Sequence, residues 1–181
     1  MIIGERIRLR AMRREDLPLF FEWLNDPEVT QGLMHYLPFS YEDEEEWFND
    51  MRKRPQEEKP LTIDILTEEG WQPIGNCGLF GIDWRIRLAE FGIMIGAKEH
   101  WNKGYGTEAL QMIIQHGFDT LNLNRVALQV YENNPRAIRS YEKAGFVKEG
   151  KLRQAHYQDG QYIDVFLMSI LRSEWQNRSD L

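Results

Sequence analysis

One stretch constrains this chain more than any other. Residues 93–121 read IMIGAKEHWNKGYGTEALQMIIQHGFDTL. An apolar strand passes through a loop into the turn Gly104-Tyr105-Gly106, and the chain then enters a helix at once. Ala109, Leu110, Ile113, Ile114, Gly117, Phe118 and Leu121 recur at helical spacing, so one face of that helix is core. A strand followed by a helix with one apolar face requires a sheet for the helix to cover. The opposite end carries the chemistry. Unpaired N–H groups and the positive end of the dipole collect at the helix N-terminus, where they suit a phosphate. Lys103 adds a positive charge beside them.

The rest of the chain supplies that sheet. Residues 5–10 (ERIRLR) alternate charged and apolar side chains and predict a strand, and residues 16–24 predict a short amphipathic helix ended by Asn25-Asp26-Pro27. Ser40, three residues before Asp43, has the outline of a capping box. It opens a second helix whose residues 42–46 put acid in the first turn and whose Trp47, Phe48 and Met51 form the buried stripe. Strands follow at residues 61–65, 74–82 and 86–95, with a turn at 68–73. Gly92 within the last of them marks a bulge or a close approach to the backbone. After the opening stretch come a strand at 125–131, a helix at 136–144 with Asn134 as N-cap, Pro135 at its first position and Gly145 after its end, a strand at 146–153, an Asp159-Gly160 turn and a last strand at 162–171. The reading is α/β (α+β), with one mixed sheet flanked by helices and a single domain over residues 1–181.

Composition removes several functions. A net charge of -7 argues against a nucleic-acid surface. Cys77 is the only cysteine, which forbids an intrachain disulfide and a cysteine-rich metal site and fits a reducing cytoplasm. His35, His100, His116 and His156 have no ligand spacing, so no metal is expected. No run approaches the roughly 18 apolar residues of a membrane span, and the arginine-bearing start MIIGERIRLR reads as neither signal peptide nor anchor. The expectation is a cytoplasmic protein without a membrane or nucleic-acid partner.

Gly104-Tyr-Gly106-Thr-Glu-Ala109 also fits the dinucleotide fingerprint G-x-G-x-x-A. That fold places its first glycine directly after a strand and continues with further βαβ units. Here AKEHWNK intervenes between Gly96 and Gly104, and only one more helix-and-strand unit follows. Glu132 keeps a dinucleotide-binding oxidoreductase as the lesser alternative, since it ends the next strand where a ribose-binding acid would stand.

Three segments together resemble the GCN5-related N-acetyltransferase (GNAT) superfamily, in the branch of the ribosomal-protein alanine and spermidine acetyltransferases. They are Arg8-Leu9-Arg10 with Arg14 to Leu17 and Trp23, the strand-loop-helix of residues 90–109 around HWNKGYGTEA, and residues 134–146, NPRAIRSYEKAGF. The resemblance spans nearly the whole chain. It implies a mostly antiparallel, splayed sheet and acetyl-CoA as donor, with transfer straight to a primary amine on a peptide N-terminus, a polyamine or another small molecule. An acyl-CoA-sensing domain without turnover is the alternative within the same fold.

The resemblance also implies where the donor lies. The pantetheine arm would run in a splay between the strand of residues 91–95 and that of residues 126–131, bound by backbone at Gly92, Ile93, Met94 and Ile95. The diphosphate would rest on the amides of Asn102, Lys103, Gly104, Tyr105, Gly106 and Thr107. Trp101 stands where the wider superfamily has Gln or Arg. Asn134 would reach the arm, and Arg139 or Lys143 the adenosine end. A homodimer is left open, as such families commonly form one.

Amine acetylation needs a neutral amine, although a free alkyl ammonium loses its proton only near pH ~10. It also needs alignment, an oxyanion site and a proton for the departing thiolate. By resemblance Tyr141 is the general acid, and Glu90 or a water wire is the base. Gln129 stands where several protein N-terminal acetyltransferases carry a glutamate, and an amide cannot act as a base. The acceptor would be chosen by residues 30–39, including His35 and Tyr36, and residues 154–161.

Overall fold

The computed structural model describes residues 1–33 and 37–179. Its strands are β1 (Ile2–Ile3), β2 (Ile7–Ala11), β3 (Leu61–Thr67), β4 (Gly70–Asp83), β5 (Leu88–Ile95), β6 (Arg125–Tyr131), β7 (Val147–Gln158) and β8 (Gln161–Leu171). They form one eight-stranded sheet in the order β1-β2-β3-β4-β5-β6-β8-β7. Every neighbouring pair is antiparallel except β5 and β6. A parallel pair requires a crossover. It is supplied by α4 (Tyr105–Gln115), which continues into a π-helical turn at His116–Thr120. A sheet with one parallel pair and no run of βαβ units removes the dinucleotide-binding alternative.

Side-chain alternation along β5 divides the molecule. Ala89 and Phe91 join Val126, Leu128 and Val130 of β6 under α4 and α5 (Pro135–Ala144), against Ala109, Leu110, Ile113, Ile114 and Ile138. Met94 points to the other face, into a second cluster with Leu17 and Phe20 of α1 (Leu17–Leu24), Val29 of α2 (Pro27–Thr30) and Phe48 and Met51 of α3 (Tyr41–Met51). Each fully buried side chain of this size contributes about 1.5–3 kcal/mol. The last helix, α6 (Arg172–Ser179), packs Trp175 against Phe118.

The sequence expectations hold for most elements and fail at informative places. The helix caps form as read: Ser40 and Asp43 exchange bonds as a capping box at the start of α3, and Asn134 Oδ1 accepts from Ala137 N at 3.1 Å. The buried stripe of α3, however, is Glu44, Phe48 and Met51, with Trp47 only half-buried. Gly92 does not mark a bulge. It pairs regularly with Gly78, and a Cβ there would lie 2.8 Å from the ring of Phe80. The ring, not the backbone, demands the glycine. The irregularity lies across the ladder in β4, between Phe80 and Asp83.

The Arg8-Leu9-Arg10 pattern has a structural use. Arg10 grips Asp16 with two bonds of 2.7 and 2.8 Å and shares Asp64 Oδ2 with Arg8, each at 2.8 Å. Burial pushes the Asp16 carboxyl up, but Arg10, the Arg13 amide and Thr62 outweigh it and hold the group below its ordinary value. This knot bolts β2 and β3 to the start of α1, whose Leu17 and Phe20 pack in one cluster with Met94 of β5.

Candidate active site

The site begins where a ladder stops. β5 and β6 pair at Leu88–Arg125, Ala89–Val126 and Glu90–Ala127. Beyond that rung β5 stays with β4 as far as Ile95–Gly75, while β6 stays with β8 as far as Tyr131–Val165. The two half-sheets separate, and the backbone groups that would have continued the parallel ladder face a cleft of about 720 Å³. Buried backbone polar groups need partners, and an extended ligand lying between the strands would supply them as an added strand does.

One wall is built by β5, the loop after it and the two helices. Ile93, Met94 and Ile95 line it from the strand. Trp101 Nε1 donates to Ile95 O at 2.7 Å and ties the loop back to the strand end. Asn102 and Gly104 take positive φ, +61° and +86°. The second value is one that glycine alone adopts freely, and it turns the chain into α4 with the amides at its start open to the cleft. Asn102, Gly104, Tyr105, Gly106 and Thr107 all line the cleft. Lys103 does not. Its carbonyl instead accepts from Arg6 Nη1 at 3.0 Å, while Arg6 pairs with Glu108 at 2.8 Å and lies over Tyr105. The turn is thus clamped from behind, which leaves its amides for a ligand in front.

From α5 come Asn134, Arg139, Tyr141 and Lys143, as expected. Asn134 is half committed, because its oxygen caps the helix while its amide nitrogen remains a donor near Gly32. Tyr141 is buried, edge-on to Phe91 at 6.3 Å, and its hydroxyl has no hydrogen-bond partner among the described residues. Burial pushes the phenol up to about 12, so the group holds its proton throughout the neutral range. Sequence reasoning passed over two further residues of this helix. Arg136 stacks on Trp101, 3.8 Å from the ring centroid, and Ser140 bonds Thr107 across the helices at 2.7 Å. Both lie within one helical turn of Tyr141 or Asn134, and that spacing was the available signal.

The opposite wall comes from Gln31, Gly32 and Leu33 after α2, from Gln129 and Tyr131 of β6, and from Leu152, Ala155 and His156 of β7. Parts of both stretches expected to choose the acceptor are therefore at the cleft. His35 and Tyr36 fall outside the described residues. Tyr131 is buried with an unpartnered hydroxyl, and His156 lies flat on its ring, 4.0 Å between centroids and 9° between planes.

Glu90 does not join either wall. It is exposed, at the last paired rung. Phe80 stands directly opposite it and folds its ring over Gly92, the next residue on Glu90's face of β5. An aromatic ring therefore lies between Glu90 and Met94, the first residue on that face to line the cleft.

A sheet opened at its one parallel pair, with a phosphate turn at one end and a proton-holding phenol at the junction, defines an acyl-CoA-binding transferase site. The comparisons give the family. The chain matches the acetyltransferase (GNAT) domain over residues 6–147, and it belongs to that family. It is 35% identical over 175 residues to the N-acetyltransferase p20 of Bacillus licheniformis, covering 94% of this chain and 96% of that one. It is 32% identical to a spermidine N(1)-acetyltransferase of Vibrio cholerae, covering 98% and 100%. The crystal structure of the spermidine N-acetyltransferase from Vibrio cholerae in complex with CoA and spermine superposes with a TM-score of 0.86 at 30% identity, over 96% of this chain and all of the other. The protein is an acyltransferase that moves the acetyl group of acetyl-CoA to an amine. Among the described residues, no helix is long and apolar enough to cross a membrane.

Proposed function

We propose that the chain, as a single domain of residues 1–181, acetylates a small primary amine by direct transfer across this cleft. The observation that carries the reading is the end of the β5–β6 ladder beside Tyr141. In this reading the pantetheine arm takes the place of the missing rungs along Gly92, Ile93, Met94 and Ile95. The diphosphate rests on the amides of residues 102–107, where the dipole of α4 favours it. Asn134 donates to the arm. Arg139 and Lys143 meet the adenosine phosphate, and Arg136 adds a cation at the turn.

The neutral amine attacks the thioester carbon from the opposite wall. An N–H between Ile93 and Ile95 stabilises the oxyanion. As the carbon–sulfur bond breaks, Tyr141 gives its proton to the thiolate and recovers one from the nitrogen that has become an amide. Glu90 serves as base in this scheme only through water, because Phe80 stands in its path.

The lining favours an acceptor with one positive charge. Its only carboxylate among the described residues is Glu28, and Lys98 already holds that group at 2.6 Å. A polyamine is the second reading, supported by the names of the relatives. A cytoplasmic homodimer completes the proposal, with light scattering as the test of its mass. The function itself is tested by thiol release from acetyl-CoA across monoamines, peptide N-termini, amino sugars and polyamines. Turnover with a monoamine or peptide above that with spermidine is expected. Stabilisation by acetyl-CoA without turnover of any amine would sink the catalytic reading.

A further inference from the structure

The cleft leaves one task unassigned, removal of the ammonium proton. Gln129, on the acceptor wall, has no basicity. The carboxylate and imidazole side chains in the lining are Glu28, His100 and His156. Glu28 is bound to Lys98. His100 packs on Tyr105 in the phosphate loop, with Nδ1 sealed and unpartnered and Nε2 at 3.8 Å from Glu99. His156 is different. It stands on the acceptor wall, half-buried, with neither ring nitrogen bonded among the described residues.

Its placement is built into the fold. In the β7–β8 ladder, Leu152 pairs with Val165 and the next pair is His156 with Ile163, so β7 carries extra residues immediately before His156. Bulges of this kind bend a strand and re-aim a side chain, and they gather beside active sites. The bulge is pinned, since Gln154 at φ +52° donates its N–H to Asp164 at 2.7 Å, and Lys151 holds the same carboxylate at 2.5 Å. The flat stack on Tyr131 then fixes the plane of the imidazole and leaves its nitrogen-bearing edge unclaimed. Tyr131 is itself a short way up β6 from the rung where the strands part.

We propose that His156, its ring held flat on Tyr131, is the base that deprotonates the acceptor; the proposal rests on the amine-acetylation reading above. The imidazole takes one proton from the ammonium and passes it to solvent. The freed lone pair attacks the thioester carbon. The second nitrogen proton replaces the one Tyr141 gives to the thiolate, so the products are the amide, the thiol and one proton in solution. The other titratable or charged groups around His156 are Tyr131 on β6, Asp164 with its partner Lys151 on the β7–β8 hairpin, and Glu28 and Arg136 across the cleft.

The test is a rate profile of the full chain from about pH 5.5 to about pH 9.5, the range over which an imidazole changes charge. The wild-type kcat/KM is expected to fall on the acid side with unit slope. His156→Gln removes that limb and lowers kcat at neutral pH by about 10²–10³-fold, the usual worth of a positioned base. His156→Phe keeps a ring on Tyr131 and falls as far, whereas free imidazole restores part of the rate of His156→Ala. Stabilisation by acetyl-CoA is expected to be the same in all of them. The assignment is overturned if His156→Phe stays within about threefold of wild type, or if the acid limb survives in His156→Gln and disappears in Glu90→Gln. A wild-type chain that binds acetyl-CoA but acetylates no amine overturns the functional reading and this assignment with it.

Discussion

The two walls of the cleft are made in different ways. The donor wall is mostly backbone and is local in sequence: a strand end, a turn at positive φ and the start of α4, all within residues 93–107, with α5 laid beside them. The acceptor wall is mostly side chain and is assembled from three distant places: residues 28–33, β6 and the bulged β7. A wall of amides recognises what every acyl-CoA shares. A wall of side chains is free to differ, so in the proposed reading the second would decide which amine is used. Tyr141 stands where the walls meet, and its removal is the strongest way to break the comparison. Tyr141→Phe is expected to lower kcat by about 10²–10⁴-fold while acetyl-CoA stabilises the variant as before, since the loss falls on proton transfer alone. Thiol-release kinetics beside thermal shifts read the two quantities separately. A fall in acetyl-CoA affinity that accounts for the whole loss would make Tyr141 part of the donor wall instead.

Beneath the acceptor wall lies a second contrast. The Arg10–Asp16–Asp64 knot is buried and paired, whereas Glu44 is buried on the inner face of α3 with no partner among the described residues. Burial alone pushes its carboxyl up to about 7. A carboxyl raised in the folded state contributes stability that is complete below its unfolded value near 4.5 and is lost as pH rises through about 7. Glu44→Gln is therefore expected to change little at acid pH and to stabilise the chain by about 2–3 kcal/mol at pH ~8, roughly 5 °C or more in melting temperature. Melts at the two pH values decide it. An equal effect at both would mean that Glu44 is ionised throughout.

The same difference between walls explains what could be read in advance. Residues 93–109 and 134–146 disclose their elements because cap, turn and helical period coincide in one short span, so the elements that bring Tyr141 and the Gly104 turn to the cleft were legible. The acceptor wall has no such signal. His156 follows extra residues that break the two-residue period of a strand, so alternation could not assign its face. Tyr131 reads as an ordinary strand residue until β7 is folded over it. Gly92 suggested an irregular backbone, whereas the strand pairs regularly there and the Phe80 ring needs the missing side chain, a contact set by register across two strands. Glu44 sits in a run of acids that looks like a solvated first turn, and only the packing of α3 turns it inward.

On the donor side the expected effect is smaller and falls on binding. Gly104→Ala forces a Cβ into φ +86°, a conformation that costs an L-residue about 1–2 kcal/mol, with the Arg6 guanidinium 3.2 Å away. The turn relieves that strain by rotating its amides. Acetyl-CoA is then expected to bind about tenfold more weakly, with kcat at saturation nearly intact. Calorimetric titration with CoA measures this, and unchanged affinity would mean that the amides at the turn do not hold the diphosphate.

The smallest expected effect is the sharpest test of where the acceptor wall ends. Glu90 lies on the face of β5 that leads toward the acceptor, yet four residues before Met94, where the cleft lining begins on that face. Phe80 fills the interval, and Gly78 and Gly92 lack side chains so that its ring can. A carboxylate behind that ring acts on the amine only through ordered water reaching round it. If proton removal belongs to the imidazole wall, Glu90→Gln changes kcat/KM by less than about threefold and leaves the acid limb of the profile in place. Phe80→Ala supplies the converse, since it opens the path from Glu90 to Met94 without touching His156. If Glu90→Gln alone costs orders of magnitude, the base lies on β5 and water carries the proton past Phe80. Opening the path would then raise the rate or shift its acid limb, whereas with His156 as base Phe80→Ala affects stability and leaves the limb where it was.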